Sequence, residues 1–337
     1  MARITIKDIA KECGVSITAV SFVLNGKTDS VSKETRQRVL DVCNKYHYHP
    51  NYIASALKSK LTHTAAVLVP DIENGYYARL IKSLESSFVK NGYSLFIANS
   101  GYDIELFKKT IADMIIKNID FLIVVPPSSF SNNQLLDIKS LEKDIDVPVV
   151  ILDRKIDIEN APIVVNDDIK GGYLATKYLL EKGHKKIACI TGPKEISSSQ
   201  DRLLGYKKAL SEWGVEFDDS IVYEGDYHFD GAFPLAKEIL KDNSITAIFA
   251  FNDLMAYSIY KSASEMNKVV GKDISVVGFD DNQFSSLITP GLTTIKQNID
   301  SLCSSVINEL FNNQKIKKTI LIEPTLVERR SVSDVNN

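Results

Sequence analysis

Asp153, Arg154, Arg202, Asn252, Asp280 and Gln297 follow or lie near the ends of apolar strands or the starts of helices. Carboxylates accept hydrogen bonds from paired hydroxyls, guanidinium and amide groups donate them, and tyrosine rings cover an apolar C–H face. With rings from Tyr76, Tyr77 and Tyr227, these residue types suit a polyhydroxylated, sugar-like ligand. Catalytic chemistry has no comparable support. Asp280-Asp281 has no nucleophile and base at a recognisable spacing, and neither G-x-G-x-x-G nor G-x-x-x-x-G-K-[ST] occurs. Asn25-Gly26-Lys27-Thr28 carries only the tail of the second pattern and follows no strand. Cys13, Cys43, Cys189 and Cys303 form no C-x-x-C pair, so they read as core thiols; no metal site, catalytic residue or cofactor is expected.

A second chemistry sits at the amino end. Thr5 precedes IKDIAKEC, where Ile6, Ile9, Ala10 and Cys13 recur at helical spacing until Gly14. Ser16 is placed to cap ITAVSFVL, with Ala19, Val20 and Val23 on one face. Two helices joined by a turn of about three or four residues form a helix-turn-helix, whose second helix lies in the DNA major groove. Ile17, Thr18 and Phe22 are therefore expected to face outward, and Ser16 and Ser21 to bond phosphates. A third helix opens at Ser32 with Thr35 and Arg36 and turns Val39, Leu40 and Val42 inward. His49-Pro50 closes the unit, because the residue before proline is pushed out of the helical region. Residues 1–60 hold ten Lys and Arg against five acidic residues, a charge of +5 that leaves −8 for the rest. A basic head on an acidic body is the electrostatic pattern of a modular polyanion binder.

The positioning elements change character along the chain. NYIASALKSK (51–60) is too short to fold alone and reads as a conditional linker. From Thr64, apolar strands alternate with helices, which signals parallel sheets of βαβ units. TAAVLV (64–69), SLFIA (94–98), FLIVV (121–125) and PVVIL (148–152) form one set, with Leu80, Leu84 and Phe88 marking its first helix. IVVN (163–166), KIACIT (186–191), TAIFAF (246–251) and ISVVGF (274–279) form a second. LTTIK and TILI must then be shared, so the chain is expected to cross between two lobes more than once. At 337 residues the chain has room for about two or three units. Charged residues at 25% and hydrophobic ones at 44% match ordinary globular proteins, which argues against disorder and against a membrane protein. No stretch approaches the roughly 18 apolar residues that span a bilayer, and the start lacks the apolar core of a signal peptide. A cytoplasmic location, nucleoid-associated when bound to DNA, is the expectation, with no membrane partner.

TIKDIAKECGVSITAVSFVLNG, VSKETRQRVLDVCNKYHYHPN and ASALK closely resemble the DNA-binding head and hinge of the lactose-repressor (LacI/GalR) family. The similarity continues through VILDR, GHKKIACITGP, RLLGYKKAL, FAFNDLMA, ISVVGFDD, PGLTTIKQ and EPTLVERRSV. The resemblance implies an all-α helix-turn-helix head (1–50), a hinge helix (51–60) and an α/β periplasmic-binding-protein-like body (61–337) of two parallel-sheet lobes. The expected lobes are about 61–161 with 292–324, and about 162–291 with 325–337. DNA contacts are implied for Thr5, Ser16, Ile17, Thr18, Ser21, Phe22, Asn25, Asn51, Ala54, Leu57 and Lys58, with Leu57 as a minor-groove wedge. Such a wedge kinks the duplex at a cost of roughly a few kcal/mol, offset by added contacts. Ala19 stands where Thr is common and Phe22 where Arg is common, so the operator sequence does not carry over.

The body is also similar to periplasmic sugar-binding proteins, the ribose binder above all. Its ligand pattern is matched by Asn74, Tyr76, Tyr77, Asp153, Arg154, Arg202, Tyr227, Asn252, Asp280 and Gln297. Tyrosine replaces phenylalanine at the aromatic positions, and Gly75 replaces the usual proline. The expected function is a DNA-binding transcriptional repressor controlled by a small effector, a sugar such as ribose. The alternatives for the effector are a nucleobase or a phosphorylated protein. A transport binding protein fits the body but not the basic head. The tail SVSDVNN has no leucine heptad, which favours a homodimer, and a symmetric dimer reads a near-palindromic double-stranded operator.

Overall fold

The computed structural model describes residues 4–24, 26, 30–48, 61–127, 147–156, 161–312 and 318–335, in two units, Met1–Thr62 and His63–Asn337. In the first, Thr5 starts α1 (Ile6–Cys13), and Gly14 ends it in the left-handed region, its N–H turned back to the carbonyls of Ala10 and Lys11. Only a residue without Cβ takes that conformation at no cost. The hydroxyl of Ser16 accepts from Ala19 N–H at 3.1 Å and starts α2 (Ile17–Leu24); Ser32 likewise caps α3 (Lys33–Lys45) through Thr35 N–H. Ile9, Ala10, Cys13, Val20, Val23, Val39 and Cys43 form one small core. Leu40 and Val42 pack only at its edge.

The second unit holds two six-stranded sheets. β1 (Thr64–Val69), α4 (Gly75–Lys90), β2 (Ser94–Asn99), α5 (Ile104–Ile116), β3 (Phe121–Val124), β4 (Val149–Leu152) and β5 (Ile163–Asn166) come first. They are followed by α6 (Asp168–Glu181), β6 (Ile187–Thr191), α7 (Ser197–Glu212), β7 (Val222–Glu224), α8 (Phe229–Ile239), β8 (Ala247–Ala250), α9 (Asp253–Glu265) and β9 (Ser275–Phe279). β10 (Thr293–Lys296), α10 (Ile299–Asn312), β11 (Thr319–Ile322) and β12 (Thr325–Val327) complete the described strands and α-helices. The sheet orders are β11-β5-β4-β3-β1-β2 and β12-β10-β9-β8-β6-β7, parallel throughout except for the β10–β12 pair. Along β1, Ala65, Val67 and Val69 join the core shared with α4 and α10, while Ala66 and Leu68 join the core shared with α5. Burial on both faces is why the strand reads as an unbroken apolar run.

Two strands lie in the other lobe from the one expected. IVVN, assigned above to the second set, is β5 of the first sheet, where it pairs β4 and β11. LTTIK, placed within 292–324 of the first lobe, supplies β10 of the second sheet, paired to β9 and β12. An apolar run identifies a buried strand but not the edge it joins. The chain thus leaves the first lobe after Asn166, returns after Lys296 and leaves again between Ile322 and Thr325. β7 and β12, three residues each, were too short to carry a sequence signal. Among the described residues, no helix is long and apolar enough to cross a membrane.

Candidate functional site

Each sheet reverses its strand order beside its first strand, between β1 and β3 and between β6 and β8, which is the topological switch point where such sheets bind ligands. The strand ends of both sheets face one cleft of about 380 Å3 including its open mouth. All ten residues expected to bind ligand line it, and nine of them are buried, Asn74 being half-buried. Asn74 caps α4 by accepting from Tyr76 N–H at 2.9 Å, which turns Tyr76 and Tyr77 inward on the first helical turn. Asn252 caps α9 through Met255 N–H at 2.9 Å and donates to the Tyr227 carbonyl at 2.8 Å. Asp153, Tyr227 and Asp280 hold φ values of 69°, 67° and 108°. Non-glycine residues keep such conformations only where their surroundings over-determine them, and those places cluster at functional sites.

Hydrogen bonds link the lining. Tyr77 donates to Asp153 Oδ2 at 2.9 Å, and Arg154 donates to the Tyr77 hydroxyl at 3.3 Å and the Pro126 carbonyl at 2.8 Å. Gln297 donates through Nε2 to Asp280 Oδ1 at 2.5 Å and accepts through Oε1 from Asn166 Nδ2, which also reaches the Tyr76 hydroxyl. Arg202 Nε donates to Asp168 Oδ1 at 2.7 Å, Nη1 donates to the Phe251 carbonyl, and the guanidinium lies 3.6 Å over the Phe279 ring. Among the described residues, Arg154 Nε, 3.9 Å from Asp153 Oδ2, and Asn166 Oδ1 are buried without a hydrogen-bond partner.

Sequence reasoning missed Tyr102 and Ser198 in the lining, and Asn166, Asp168 and Asp253 behind it. Tyr102 follows β2 and Asn166 ends β5, so the strand-end rule could have found both. Asp253 accepts from Asn282 N–H, Ser285 Oγ and Thr294 Oγ1 at 2.6 to 2.7 Å, which fixes the turn after β9. Among the described residues, no three His, Cys, Asp or Glu are grouped to hold a metal ion.

Burial pushes the Asp280 carboxyl up to about 8, with Arg202 opposing and the Asp253 carboxylate adding to the rise. Burial likewise raises Asp168 and Asp253 to about 6. Burial thus favours the protonated form of Asp280, which donates as well as accepts. A carboxyl whose pKa is raised by folding favours the folded chain below the unfolded value near 4 and loses that advantage as pH rises towards the folded value. The thermal midpoint of the body should thus fall from about pH 5 to pH 8. Asp280→Asn should flatten the upper half of that fall, leaving the part due to Asp168 and Asp253. Equal slopes for parent and variant in thermal scans across this range would show that Asp280 titrates elsewhere.

In the head, Ile17 and Thr18 are exposed on α2, whereas Phe22 and Ser21 are half-buried, so Phe22 is less outward than expected. Ser16 accepts from Ala19 N–H and keeps its hydroxyl hydrogen for another acceptor. Thr5 is exposed, with its hydroxyl donating to Asp8 Oδ2 at 2.7 Å, a bond that lowers the Asp8 pKa. Asn25, Asn51, Ala54, Leu57 and Lys58, and with them the expected hinge helix, lie outside the described residues.

Residues 5–51 match the model of bacterial regulatory proteins of the lacI family, and residues 176–332 match that of a periplasmic binding protein-like domain. The chain is 34% identical to the HTH-type transcriptional regulator DegA of Bacillus subtilis over 99% of both sequences. It is 37% identical to the HTH-type transcriptional repressor PurR of Edwardsiella ictaluri over 98% of this chain and 97% of that one. Among solved structures, the Lac repressor dimer bound to operator and the anti-inducer ONPF superposes with a TM-score of 0.87 at 26% identity, covering 98% of this chain and 100% of that one. A LacI family regulator from Enterococcus faecium with bound ribose gives 0.71 at 27% identity, covering 81% and 99%. A helix-turn-helix head, a two-lobed α/β body and full-length relatives of this kind make the chain a member of the LacI family, a DNA-binding transcriptional regulator and not an enzyme.

Proposed function

We propose that this protein is a repressor that binds a near-palindromic operator as a homodimer, and that a monosaccharide such as ribose, held between the lobes, alters its operator affinity. The observation that carries this reading is the lining of the cleft. Paired carboxyls (Asp153, Asp280), guanidinium groups (Arg154, Arg202) and amides (Asn252, Gln297) converge from both lobes among tyrosine rings. Hydroxyls on a small ring match that set of donors and acceptors. The ribose-bound regulator of the same fold supports the choice of sugar. Exposed Phe96 and Ile97 on the edge strand β2 suit self-association, because an apolar edge left in water invites pairing. Acting on an operator places the protein in the cytoplasm, at the nucleoid.

A nucleobase is the second reading, and one feature favours it. A protonated Asp280 presents a donor and an acceptor side by side, as does the edge of a base. Calorimetric titration of the full chain with D-ribose, other monosaccharides, sugar phosphates and purines decides between them. Heat of binding is expected with D-ribose or a close relative, and the same sugar should shift the chain on operator DNA in a gel assay. Binding of a purine and of no sugar would establish the second reading; binding of nothing in the panel would remove the cleft as an effector site.

A further inference from the structure

Arg79, on α4 of the first lobe, reaches across to the second. Its Nη1 donates to the Asp281 carbonyl at 2.6 Å and its Nη2 to the Asp280 carbonyl at 2.5 Å. Those carbonyls belong to consecutive non-glycine residues with φ of 108° and 50°, a pair that relaxes unless its surroundings hold it. The second lobe grips this turn by other atoms. Asp280 N–H donates to the Ile295 carbonyl at 2.7 Å, Gln297 donates to the Asp280 carboxyl, and Arg329 donates to the Asp281 carboxylate at 2.6 Å. The two carbonyls instead turn towards the first lobe. A guanidinium offers two donors in a fixed fork that matches adjacent carbonyls, whereas a lysine ammonium is a compact point charge.

We propose that Arg79 is a positioning residue for the effector cleft. It pins the Asp280–Asp281 turn, sets the direction of the Asp280 carboxyl, and makes that direction depend on how the lobes are arranged. Its effect on ligand rests on the cleft reading above; its effect on the turn does not.

Hydrogen–deuterium exchange on the full, effector-free chain tests the second part. Arg79→Met should speed exchange across 280–286 by roughly ten- to a hundredfold, the loss expected for hydrogen bonds from a charged group. Arg79→Lys should fall between parent and Met variant. Peptides covering 64–69 and 187–191, one in each sheet, should not change. Parent rates across 280–286 in the Met variant, or equal acceleration in both sheets, would overturn the proposal. If the Met variant does not accumulate folded, the Lys variant is judged by the same criterion. With D-ribose as probe, Arg79→Met and Asp280→Asn should each weaken binding but not add when combined, because both act through one carboxyl. Additive losses refute the positioning role. If the parent chain takes up no D-ribose, the sugar reading fails, while the exchange result still decides whether Arg79 holds the turn.

Discussion

Arg202→Met is expected to unfold roughly 6 to 20 °C below the parent chain, because removing one partner of a buried ion pair costs about 3 to 5 kcal/mol. The cost arises at Asp168. Both side chains are 6% exposed, and without the 2.7 Å bond to Arg202 the carboxylate is left at the start of α6 with its desolvation uncompensated. Methionine keeps an apolar side chain of similar length but supplies neither the guanidinium that lies over the Phe279 ring nor its hydrogen bonds. Arg202→Met combined with Asp168→Asn removes the stranded charge and should recover most of the lost stability. The recovered protein should still bind effector about ten- to a hundredfold more weakly, because the charged donor in the cleft stays absent. Its affinity for operator without effector should remain near that of the parent. Thermal scans and gel shifts titrated with the best ligand of the calorimetric panel separate the two roles. A double variant that responds to effector like the parent would show that Arg202 serves the fold alone, and a stable single variant would show that the ion pair contributes little.

What was legible in the sequence follows from how each feature is encoded. Leu80, Leu84 and Phe88 at helical spacing are fully buried on α4, and TAAVLV is β1 to the residue, because periodicity and unbroken apolar runs are local signals. Asp153, Arg154, Arg202, Asn252, Asp280 and Gln297 were readable for a related reason, because strand ends and helix starts are local and the fold brings such ends together. The full set of ten, Asn74 included, rested on the resemblance to periplasmic sugar-binding proteins. Their binding role is a separate matter, which the titrations above address. The sheet that takes IVVN or LTTIK is a non-local choice. IVVN lies beside PVVIL on one edge and, on the other, pairs β11, more than 150 residues later in the chain. Arg79 was invisible for the same reason, since its partners lie 201 and 202 residues away and are backbone carbonyls with no side-chain signature. In the head the helix starts at Thr5, Ser16 and Ser32 were legible from their capping types, but the extent to which Phe22 turns inward was not.

Gly172→Ala should destabilise the chain by about 3 kcal/mol or more, at or above the upper end of overpacking, even though alanine favours a helix interior over glycine by about 1 kcal/mol. The packing of α6 on α7 decides the sign. A Cβ at Gly172 would stand 2.1 Å from the carbonyl oxygen of Arg202, and one at Gly205 would stand 2.1 Å from the carbonyl oxygen of Ile169. Both obstacles are backbone, so no side-chain rotation relieves them and the helices have to move apart. Separation acts directly on the cleft, because α6 opens with Asp168 and α7 carries Arg202 and Ser198. Moving α7 outward stretches the ion pair and draws the guanidinium away from the Phe279 ring. Gly172→Ala is therefore expected to lower the urea midpoint and weaken effector binding together, although residue 172 lies outside the cleft lining. A variant as stable as the parent, or one that loses stability with full effector affinity, would show that the helix contact does not set the position of Arg202. The parallel variant Gly205→Ala tests the same contact from the other helix. Because each change forces apart the same pair of helices, the two losses should combine to less than their sum.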